Sequence, residues 1–272
     1  MKQELPMDKD LSLLLNKVHQ HTGFDFREYK MTSIDRRIAR RLQATSSDSY
    51  LKYLEYLNTH PAEYDFLLND LLINTTGFFR DKEVFESLEE ELIPDMIKRK
   101  RKSLDENIRI WCVGCSSGQE VYSFSILLHE ALKDMEQLKI TIYGTDIDKQ
   151  ALSQARKAIY SSQEVLDIPK TYLHTYFDDN QGHFRVNSKI RQWVKFGIHN
   201  IVSDAPIAKL DMLFCRNVLI YFSRPLQDKI FKSFHYALNP EGFLVLGKSE
   251  SPMGHVKGLF KEVNRELRIF QK

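Results

Sequence analysis

The chain has 272 residues and a formal net charge of +2, because 39 Lys and Arg residues nearly balance 37 Asp and Glu residues. With 42% hydrophobic and 28% charged residues and only 11 Gly and 8 Pro, its composition is that of a globular protein and excludes a disordered, collagen-like or solenoid chain. The balanced charge also excludes a bulk electrostatic affinity for nucleic acid or acidic membranes, so recognition by charge must be local.

The first part of the chain, up to about residue 100, has the apolar periodicity of helices. The predicted helices are Asp10–Gln20, Met31–Leu42, Ser49–Leu57, Pro61–Ile73 and a long charged one from Lys82 to about Lys102. We therefore predict an N-terminal helical domain over residues 1–80 and a helical linker over residues 81–105.

From Ile108 onward, short apolar runs alternate with amphipathic helices, a pattern typical of a parallel sheet covered on both faces. The predicted strands are Ile108–Val113, Lys139–Thr145, Leu210–Cys215 and Phe243–Gly247. The helix before the last strand is predicted to end at Asn239-Pro240-Glu241-Gly242. This pattern predicts a doubly wound α/β domain over residues 106–272.

One segment interrupts the alternation of strands and helices. His183–Phe196 alternates apolar and polar residues, which predicts a β-hairpin with Asn187-Ser188 at or near its turn.

Small and acidic residues follow the first two predicted strands, where open α/β sheets bind their ligands. The first strand leads into Gly114-Cys115-Ser116-Ser117-Gly118, whose glycines allow a tight turn and close approach to a ligand. This loop lacks the G-x-G-x-x-G pattern, so it does not specify a pyrophosphate. The second strand ends at Asp146, a carboxylate placed to accept both hydroxyls of a ribose. S-adenosylmethionine (SAM), a nucleoside cofactor without a pyrophosphate, is therefore the predicted cofactor.

Five motifs occur together in chain order. They are Asn74-Thr75-Thr76-Gly77-Phe78-Phe79-Arg80-Asp81, Gly114-Cys115-Ser116-Ser117-Gly118-Gln119-Glu120-Val121-Tyr122-Ser123, Thr145-Asp146-Ile147-Asp148, Phe214-Cys215-Arg216-Asn217-Val218-Leu219-Ile220-Tyr221-Phe222 and Gly247-Lys248-Ser249-Glu250-Ser251. Together they resemble the CheR family, the chemotaxis-receptor glutamate O-methyltransferases. The resemblance covers nearly the whole chain, and the joint N-x-T-x-F-F-R and C-R-N-V-x-I-Y-F blocks are far more restrictive than a glycine loop.

The resemblance implies a particular domain organisation. The helical domain over 1–80 would recognise the substrate, and residues 106–272 would form a Rossmann-like class I SAM-dependent methyltransferase domain. A small antiparallel β-subdomain would be inserted in it at about residues 178–198.

The resemblance also implies a set of cofactor contacts. They are Asn74, Thr76, Arg80, Gly114, Glu120, Asp146, Asn200, Ile201, Cys215, Arg216 and Asn217. In this assignment Glu120 binds the amino group of the methionine part and Asp146 the ribose. Asn200 and Ile201 lie along the adenine, and residues 215–217 close the methionine side.

Three positions depart from the family pattern. Gln119 and Val121 stand where the family usually has an acidic residue and a proline, and Lys248 stands where it commonly has histidine. Glu120, the residue assigned to the ammonium group, is retained.

The predicted reaction is transfer of a methyl group from a sulfonium to a glutamate carboxylate. The carboxylate is already ionised at neutral pH, so the site must align and desolvate the reactants and needs no general base. Arg80 is the predicted catalytic residue that holds the acceptor carboxylate, and Tyr221 offers a hydroxyl donor beside it.

The second predicted helix carries a basic face opposite its apolar face. Arg36, Arg37, Arg40 and Arg41 form this face in a chain whose charge is otherwise balanced. The stripe suits an acidic helical partner, and the resemblance implies that it docks the acidic methylation helices of chemoreceptors.

Other features carry no predicted chemistry. Cys112 and Cys115 have C-x-x-C spacing, but no second cysteine or histidine pair accompanies them, so neither a redox pair nor a metal site is predicted. The basic run Lys98–Lys102 ends a helix, where cations suit the helix dipole.

The predicted location is cytoplasmic. The chain has only three cysteines, no apolar run near the roughly 20 residues that span a bilayer, and no apolar signal-peptide segment at its N-terminus. The resemblance adds association with receptor arrays, without membrane insertion or nucleic-acid binding.

Two alternatives remain open from the sequence. One is a receptor-docking regulator that binds SAM but methylates poorly, which Gln119 and Val121 favour. The other is a methyltransferase for a different acceptor, such as RNA or a small molecule. The sequence also leaves open whether the β-subdomain docks a receptor C-terminal peptide by adding a strand, as in some family members.

Overall fold

The computed structural model describes residues 8–27, 29–72, 75–103, 105–133 and 138–272. The chain divides into two compact units. The first consists of Met1–Ile73 with Tyr221–Gln227, and the second of Asn74–Ile220 with Asp228–Lys272.

The first unit is helical throughout its described N-terminal part. Its helices are α1 (Lys9–Thr22), α2 (Met31–Ala44), α3 (Tyr50–Thr59) and α4 (Glu63–Leu71). Helix α1 begins where Asp8 Oδ1 accepts a hydrogen bond from Asp10 N, and it ends at Gly23, whose φ of 78° terminates the helix. The four helices predicted from periodicity are thus confirmed.

The segment Tyr221–Gln227 belongs to the first unit through local contacts. Lys30 N donates a hydrogen bond to Tyr221 O at 2.8 Å, and the ring of Tyr29 meets that of Phe222 edge-on at 4.8 Å.

The second unit begins with a nearly continuous helical run. It consists of α5 (Lys82–Ser87), a π-helical turn (Leu88–Leu92) and α6 (Ile93–Ser103). The long charged helix predicted here is confirmed, and the π-turn inside it is a local widening that sequence periodicity does not reveal.

The sheets of the second unit are built from ten strands within the described residues. These are β1 (Asn107–Val113), β2 (Lys139–Asp146), β3 (Ile159–Ser161), β4 (Phe177–Asn180), β5 (His183–Val186), β6 (Val194–Ile198), β7 (Leu210–Cys215), β8 (Leu238–Leu246), β9 (Lys261–Asn264) and β10 (Ile269–Gln271). The main sheet has the order β6-β2-β1-β7-β8-β10-β9. Its first five strands are parallel and its last two antiparallel, so the predicted doubly wound sheet is confirmed.

Helices connect these strands and cover the sheet. They are α7 (Gln119–Ala131), α8 (Lys149–Lys157), α9 (Lys170–Tyr176), α10 (Ser188–Arg191) and α11 (Arg224–Ala237), with 3-10 turns at Leu219–Tyr221 and Gly254–Leu259. Helix α11 ends at Ala237, and the predicted stop Asn239–Gly242 lies inside β8, which is longer than expected. None of the helices in the described part of the chain has the length and apolar character that a membrane span requires.

A small antiparallel sheet of order β3-β5-β4 is present, as predicted, but its strands lie between residues 159 and 186 and not over 178–198. The hairpin predicted over His183–Phe196 is wrong, because β5 pairs with β3 and β4 whereas β6 pairs in parallel with β2 of the main sheet. Asn187 does not form a two-residue turn: its Oδ1 accepts from Lys189 N at 3.2 Å and caps α10 between the two strands.

Candidate functional site

The carboxyl ends of β2, β1 and β7 lie side by side. Val113, the last residue of β1, pairs with Thr145 of β2 and with Cys215 of β7. The chain extends from β1 to one side through β2 and β6, then continues on the other side through β7 and β8. Because such a switch in strand order is where open α/β sheets bind ligands, the fold places the candidate site beyond Val113.

The loop after β1 follows a path that glycine alone allows at Gly114. Its φ is 64°, and an added Cβ would lie 2.5 Å from Val218 Cγ2. Cys115 N donates to Thr145 O at 3.0 Å, which ties the loop to the end of β2. Ser116 also has a positive φ, of 48°, a conformation that a non-glycine residue keeps only where its surroundings fix it.

Asp146 is held by backbone groups of two loops. Its Oδ2 accepts from Ser116 N at 2.8 Å and its Oδ1 accepts from Asp148 N at 2.9 Å. Burial raises the pKa of Asp146 above its ordinary value, whereas these two donors stabilise the ionised form and act in the opposite direction. Each carboxylate oxygen keeps a further lone pair, so the group can still accept from a pair of hydroxyls.

Arg216 joins three of the sequence motifs through a side chain that is only 2% exposed. Its Nη1 donates to Glu120 Oε2 at 2.9 Å, and its Nη2 donates to the backbone oxygen of Arg80 at 3.0 Å. Arg216 also forms an ion pair with Asp81, whose Oδ1 lies 3.2 Å from Lys248 Nζ. The sequence predicted Arg216 as a cofactor contact; in the structure both Nη atoms bind protein groups, and they fix Glu120 and the backbone at Arg80.

Glu250 is a buried residue to which the sequence pattern assigned no role. Its Oε2 accepts from Asn217 N at 2.9 Å and from Gly247 N at 2.8 Å, and its Oε1 accepts from Ile220 N at 3.2 Å. Burial raises the pKa of Glu250, while the backbone donors act in the opposite direction. No side-chain pattern in the sequence marks this role, because the partners of Glu250 are backbone N–H groups.

The hydrogen bond from Asn217 N to Glu250 holds Asn217 in a left-handed conformation with φ of 59°. Gly247 has no room for a side chain here, because a Cβ would lie 2.8 Å from both Asn217 N and Glu250 Oε2. Asn217 Oδ1 is buried and accepts no hydrogen bond within the described residues. It is an acceptor available to a ligand.

The segment between residues 75 and 81 carries two strained residues, since Phe79 has a φ of 50° and Asp81 a φ of 60°. Phe79 N donates to Ser123 Oγ at 2.9 Å, which anchors the segment on α7. Arg80 is exposed, and its Nη1 donates to Thr75 O at 2.9 Å.

Two of the predicted contacts in this segment, Thr76 and Arg80, line a cavity of about 580 Å³ in the second unit. A third, Asn74, lies outside the described residues. Arg80 belongs to the second unit, whereas Tyr221 belongs to the first.

Asn200 and Ile201 follow β6, the strand beside β2. His199 N donates to Asp146 O at 3.1 Å, so this turn lies against the end of β2. Asn200 N donates to Asp204 Oδ2 at 2.8 Å, which fixes the start of the turn.

Two of the three departures from the family pattern, Gln119 and Val121, are accommodated inside the protein. Gln119 Oε1 accepts from Ser117 Oγ at 2.8 Å, and its Nε2 donates to Glu164 Oε1 at 3.3 Å. Val121 is fully buried in the core between sheet and helix. These substitutions leave Glu120 on the first turn of α7 with its Arg216 contact.

All three cysteines are buried and unbridged. Burial raises the pKa of the Cys112, Cys115 and Cys215 thiols, which keeps them protonated and unreactive. Cys215 is the last residue of β7, at the edge of the sheet where the candidate site lies.

The four arginines of α2 fall into two pairs. Arg36 and Arg40 are exposed, whereas Arg37 is buried. Arg37 Nη1 donates to Leu71 O at 2.5 Å, and its Cζ lies 5.1 Å from the ring centroid of Tyr221.

Arg41 forms a bidentate pair with Glu63, donating from Nε at 2.8 Å and from Nη2 at 2.9 Å. Tyr53 Oη donates to the same carboxylate at 2.8 Å. Arg37 and Arg41 thus stabilise the helical unit, and Arg36 and Arg40 are the members of the stripe that a partner can reach.

The residues at the strand ends fit SAM chemically. Asp146 offers carboxylate oxygens for the ribose hydroxyls. Glu120 and Asn217 Oδ1, which has no partner among the described residues, offer acceptors for an ammonium group. Gly114 lets the backbone approach a ligand closely.

Residues 74–269 match the family model described as CheR methyltransferase, SAM binding domain, and residues 9–72 match CheR methyltransferase, all-alpha domain. With the strand-end geometry, these matches define a SAM-dependent methyltransferase that has an N-terminal all-helical domain. The chain belongs to the CheR methyltransferase family. The predicted fold class and cofactor are confirmed.

Relatives of similar length support this assignment. A chemotaxis protein methyltransferase 2 of Vibrio cholerae is 35% identical over 96% of this chain and 91% of its own length. A protein of the same name from Pseudomonas aeruginosa is 31% identical over 95% of this chain and 92% of its own. The chemotaxis protein methyltransferase of Salmonella typhimurium is 31% identical over 92% of this chain and 87% of its own.

Proposed function

We propose that this chain methylates glutamate side chains on the cytoplasmic helices of chemoreceptors, using SAM, and thereby adjusts receptor signalling in chemotaxis. The observation that carries the proposal is the buried Arg216, which binds Glu120 on the cofactor side and Asp81 beside Arg80 on the acceptor side. The relatives named chemotaxis protein methyltransferase support the same acceptor class.

When bound, SAM would supply a methyl group on a positively charged sulfur, for transfer to an acceptor carboxylate oxygen as the S–C bond breaks, which would leave a neutral ester and a thioether. Glu120 and Asn217 Oδ1 would hold its ammonium group, and Asp146 would hold its ribose. No residue has to remove a proton, because the acceptor is a carboxylate.

Arg80 is the residue proposed to hold the acceptor carboxylate. Its guanidinium is exposed and makes only a neutral hydrogen bond, to Thr75 O, among the contacts recorded for the described residues. A bidentate bond to a carboxylate is stronger than such a bond, so an arriving glutamate would displace it. Tyr221 is proposed to donate its hydroxyl to the acceptor.

Receptor docking is proposed to use Arg36 and Arg40. Arg37 and Arg41 support these two by fixing α2 against the rest of the first unit. We expect Arg36→Glu/Arg40→Glu to raise the KM for receptor and to leave SAM affinity unchanged. The difference in KM from the unmodified protein should become smaller at high salt, because salt screens exposed charges. Lys9→Glu/Lys52→Glu, which reverses the same number of exposed charges on α1 and α3, is the matched control.

A receptor tail is proposed to add a strand to the small sheet, whose edges are β3 and β4. This contact would keep the protein at receptor arrays. We expect receptors lacking their C-terminal peptide to be methylated more slowly. Equal rates for intact and truncated receptors would remove the tail from the proposal and leave the methylation reaction untouched.

The deciding experiment is transfer of radiolabelled methyl from SAM to receptor-containing membranes of the source organism. We expect an alkali-labile label on a receptor-sized band, which is the behaviour of a glutamyl ester. Arg80→Ala should abolish the label while calorimetry still shows S-adenosylhomocysteine binding, and Arg265→Ala, at an exposed arginine on the far C-terminal turn, should label normally.

The other outcomes identify the alternatives. An alkali-stable label or a labelled RNA would indicate a different acceptor. Binding of S-adenosylhomocysteine without any label would indicate a SAM-binding regulator.

A further inference from the structure

An exposed aromatic residue lies beside the arginine stripe of the first unit. Phe66, on α4, is 56% exposed, and the Cζ atom of Arg41 lies 5.5 Å from its ring centroid. Asp70, one helical turn later on α4, lies between two arginines: its Oδ1 is 3.9 Å from Arg40 Nη1 and its Oδ2 is 3.5 Å from Arg41 Nη1. Phe66 and Arg40 therefore lie on one continuous surface formed by α2 and α4.

The charges on this surface favour an acidic partner. Arg36 and Arg40 are four residues apart on α2, so they lie on the same helix face, and the Arg40 side chain is 71% exposed. Asp70 is largely covered, with 24% of its side chain exposed, and its charge is shared by two arginines. A partner carboxylate would meet Arg36 and Arg40 before Asp70.

The ring of Phe66 lies against an arginine that is itself fixed by an ion pair. Arg41, which lies over the ring, has its guanidinium fixed by both oxygens of Glu63. A rigid aromatic side chain loses little conformational entropy on binding, which is why such residues dominate binding energies at interfaces.

We propose that Phe66 is the apolar anchor of the receptor-docking surface. Its occupant is an acidic α-helix that places an apolar side chain on Phe66 and carboxylates, one turn away, on Arg36 and Arg40. This inference rests on the proposed function, because the occupant is the receptor helix that carries the methylated glutamates. It adds to the arginines a requirement for an apolar residue in the substrate sequence.

The test compares Phe66→Ala with Phe66→Leu in the full chain, using receptor-containing membranes as substrate. We expect Phe66→Ala to raise the KM for receptor about tenfold, as the loss of an interface anchor does, with kcat and the KM for SAM unchanged. Phe66→Leu should recover most of this loss, because it keeps an apolar surface. Leu13→Ala, at a residue of α1 that is 53% exposed, is the matched control and should leave the KM for receptor unchanged.

The leucine variant separates docking from a structural role. Leucine cannot form the cation–π contact with Arg41, so if Phe66 only supported Arg41, Phe66→Leu would be as impaired as Phe66→Ala and both would melt at lower temperature. That result would overturn the inference, and so would an unchanged KM for receptor in Phe66→Ala.

Failure of the inference is distinguishable from failure of the proposed function. If the unmodified protein labels no receptor, the proposed function fails. If it labels receptor and Phe66→Ala has the same KM, only the anchor is removed. A Phe66→Ala effect on sedimentation of the protein alone, without receptor, would assign the surface to a second copy of this chain and would also overturn the inference.

Discussion

Glu63 of the helical unit and two carboxylates of the sheet unit, Asp146 and Glu250, are held in different ways. In the helical unit, Glu63 is bound by the guanidinium of Arg41 and the hydroxyl of Tyr53, so side chains satisfy it. In the sheet unit, Asp146 and Glu250 accept their hydrogen bonds from backbone N–H groups of the loops around the site.

The difference indicates different physical roles. A buried ion pair between helices contributes mainly to stability, because removing one partner leaves an uncompensated charge. A carboxylate held by backbone donors fixes the conformation of those loops. We therefore expect substitutions of the first kind to lower stability and those of the second kind to lower activity.

Arg216, in the sheet unit, binds two carboxylates and the backbone oxygen of Arg80 through its side chain. Its removal has the largest expected effect on stability. Arg216→Met leaves the half-buried carboxylates of Glu120 and Asp81 without their shared cation, which is expected to lower the free energy of unfolding by about 3 kcal/mol. Urea denaturation measures this change. Arg265→Met, at an exposed arginine, should stay within about 0.5 kcal/mol of the unmodified protein. A loss under about 1 kcal/mol is what an exposed ion pair contributes, and it would contradict a structural role for the Arg216 network.

Glu63→Gln tests the side-chain device in the helical unit. The amide cannot accept both guanidinium bonds of Arg41, so we expect a loss of about 2 to 3 kcal/mol, less than for a fully buried pair because Arg41 is partly exposed. Tyr53→Phe removes a single hydrogen bond and should cost about 1 kcal/mol. S-adenosylhomocysteine affinity should be unchanged in both, and a reduced affinity would contradict the division of roles.

Much of this organisation could be predicted from the sequence, but the inward arginines could not. The apolar arc of α2 predicted the helix correctly, yet periodicity counts Arg37 and Arg41 as polar and exposed. Long arginine side chains bury their stems beside an apolar face when acceptors lie within reach. Those acceptors, Leu71 O and the Glu63 carboxylate, come from α4 and its end, more than twenty residues away in sequence.

The site divides in the same way between what the sequence shows and what it hides. Asp146 was predictable because it ends a strand, and the strand ends of a parallel sheet meet at one edge. Glu250 was not, because its partners are backbone N–H groups of a loop that no side-chain pattern marks. Alternation likewise identified β5 and β6 as strands but not their partners, since a period of two is the same in either sheet.

Glu250→Gln tests the role of a carboxylate that is held by backbone donors in the sheet unit. The amide nitrogen cannot accept from the backbone, so the loop at Asn217 shifts and we expect kcat/KM for SAM to fall about tenfold. Stability should hold at neutral pH. Burial raises the pKa of Glu250 above its ordinary value of 4.5. The stability that this shift contributes is therefore fully present below pH 4.5 and is lost as the pH rises through the raised pKa of the folded protein.

Thermal unfolding and methyl-transfer kinetics, both measured on Glu250→Gln, separate an effect on stability from an effect on activity. Glu262→Gln, at an exposed residue of β9, is the matched control. If the melting temperature falls in parallel with activity, Glu250 contributes mainly to stability, as Glu63 does.

The smallest expected effect is a pH dependence of cofactor binding. Burial raises the pKa of Asp146 above its ordinary 3.8, and only the ionised carboxylate can accept hydrogen bonds through both oxygens. Affinity for S-adenosylhomocysteine should therefore be highest where Asp146 is ionised and should fall severalfold as the pH drops through its raised pKa, at higher pH than an unperturbed aspartate would show.

Calorimetry from about pH 8 down to about pH 4, close to the ordinary value for an aspartate, measures this dependence. Asp146→Asn should bind more weakly at every pH and without the acid-side decline, because the amide does not titrate. A decline of the same shape in Asp146→Asn would assign the titration to another group. The backbone donors from Ser116 and Asp148 would then hold Asp146 ionised throughout, which would make backbone clamping strong enough to cancel the effect of burial.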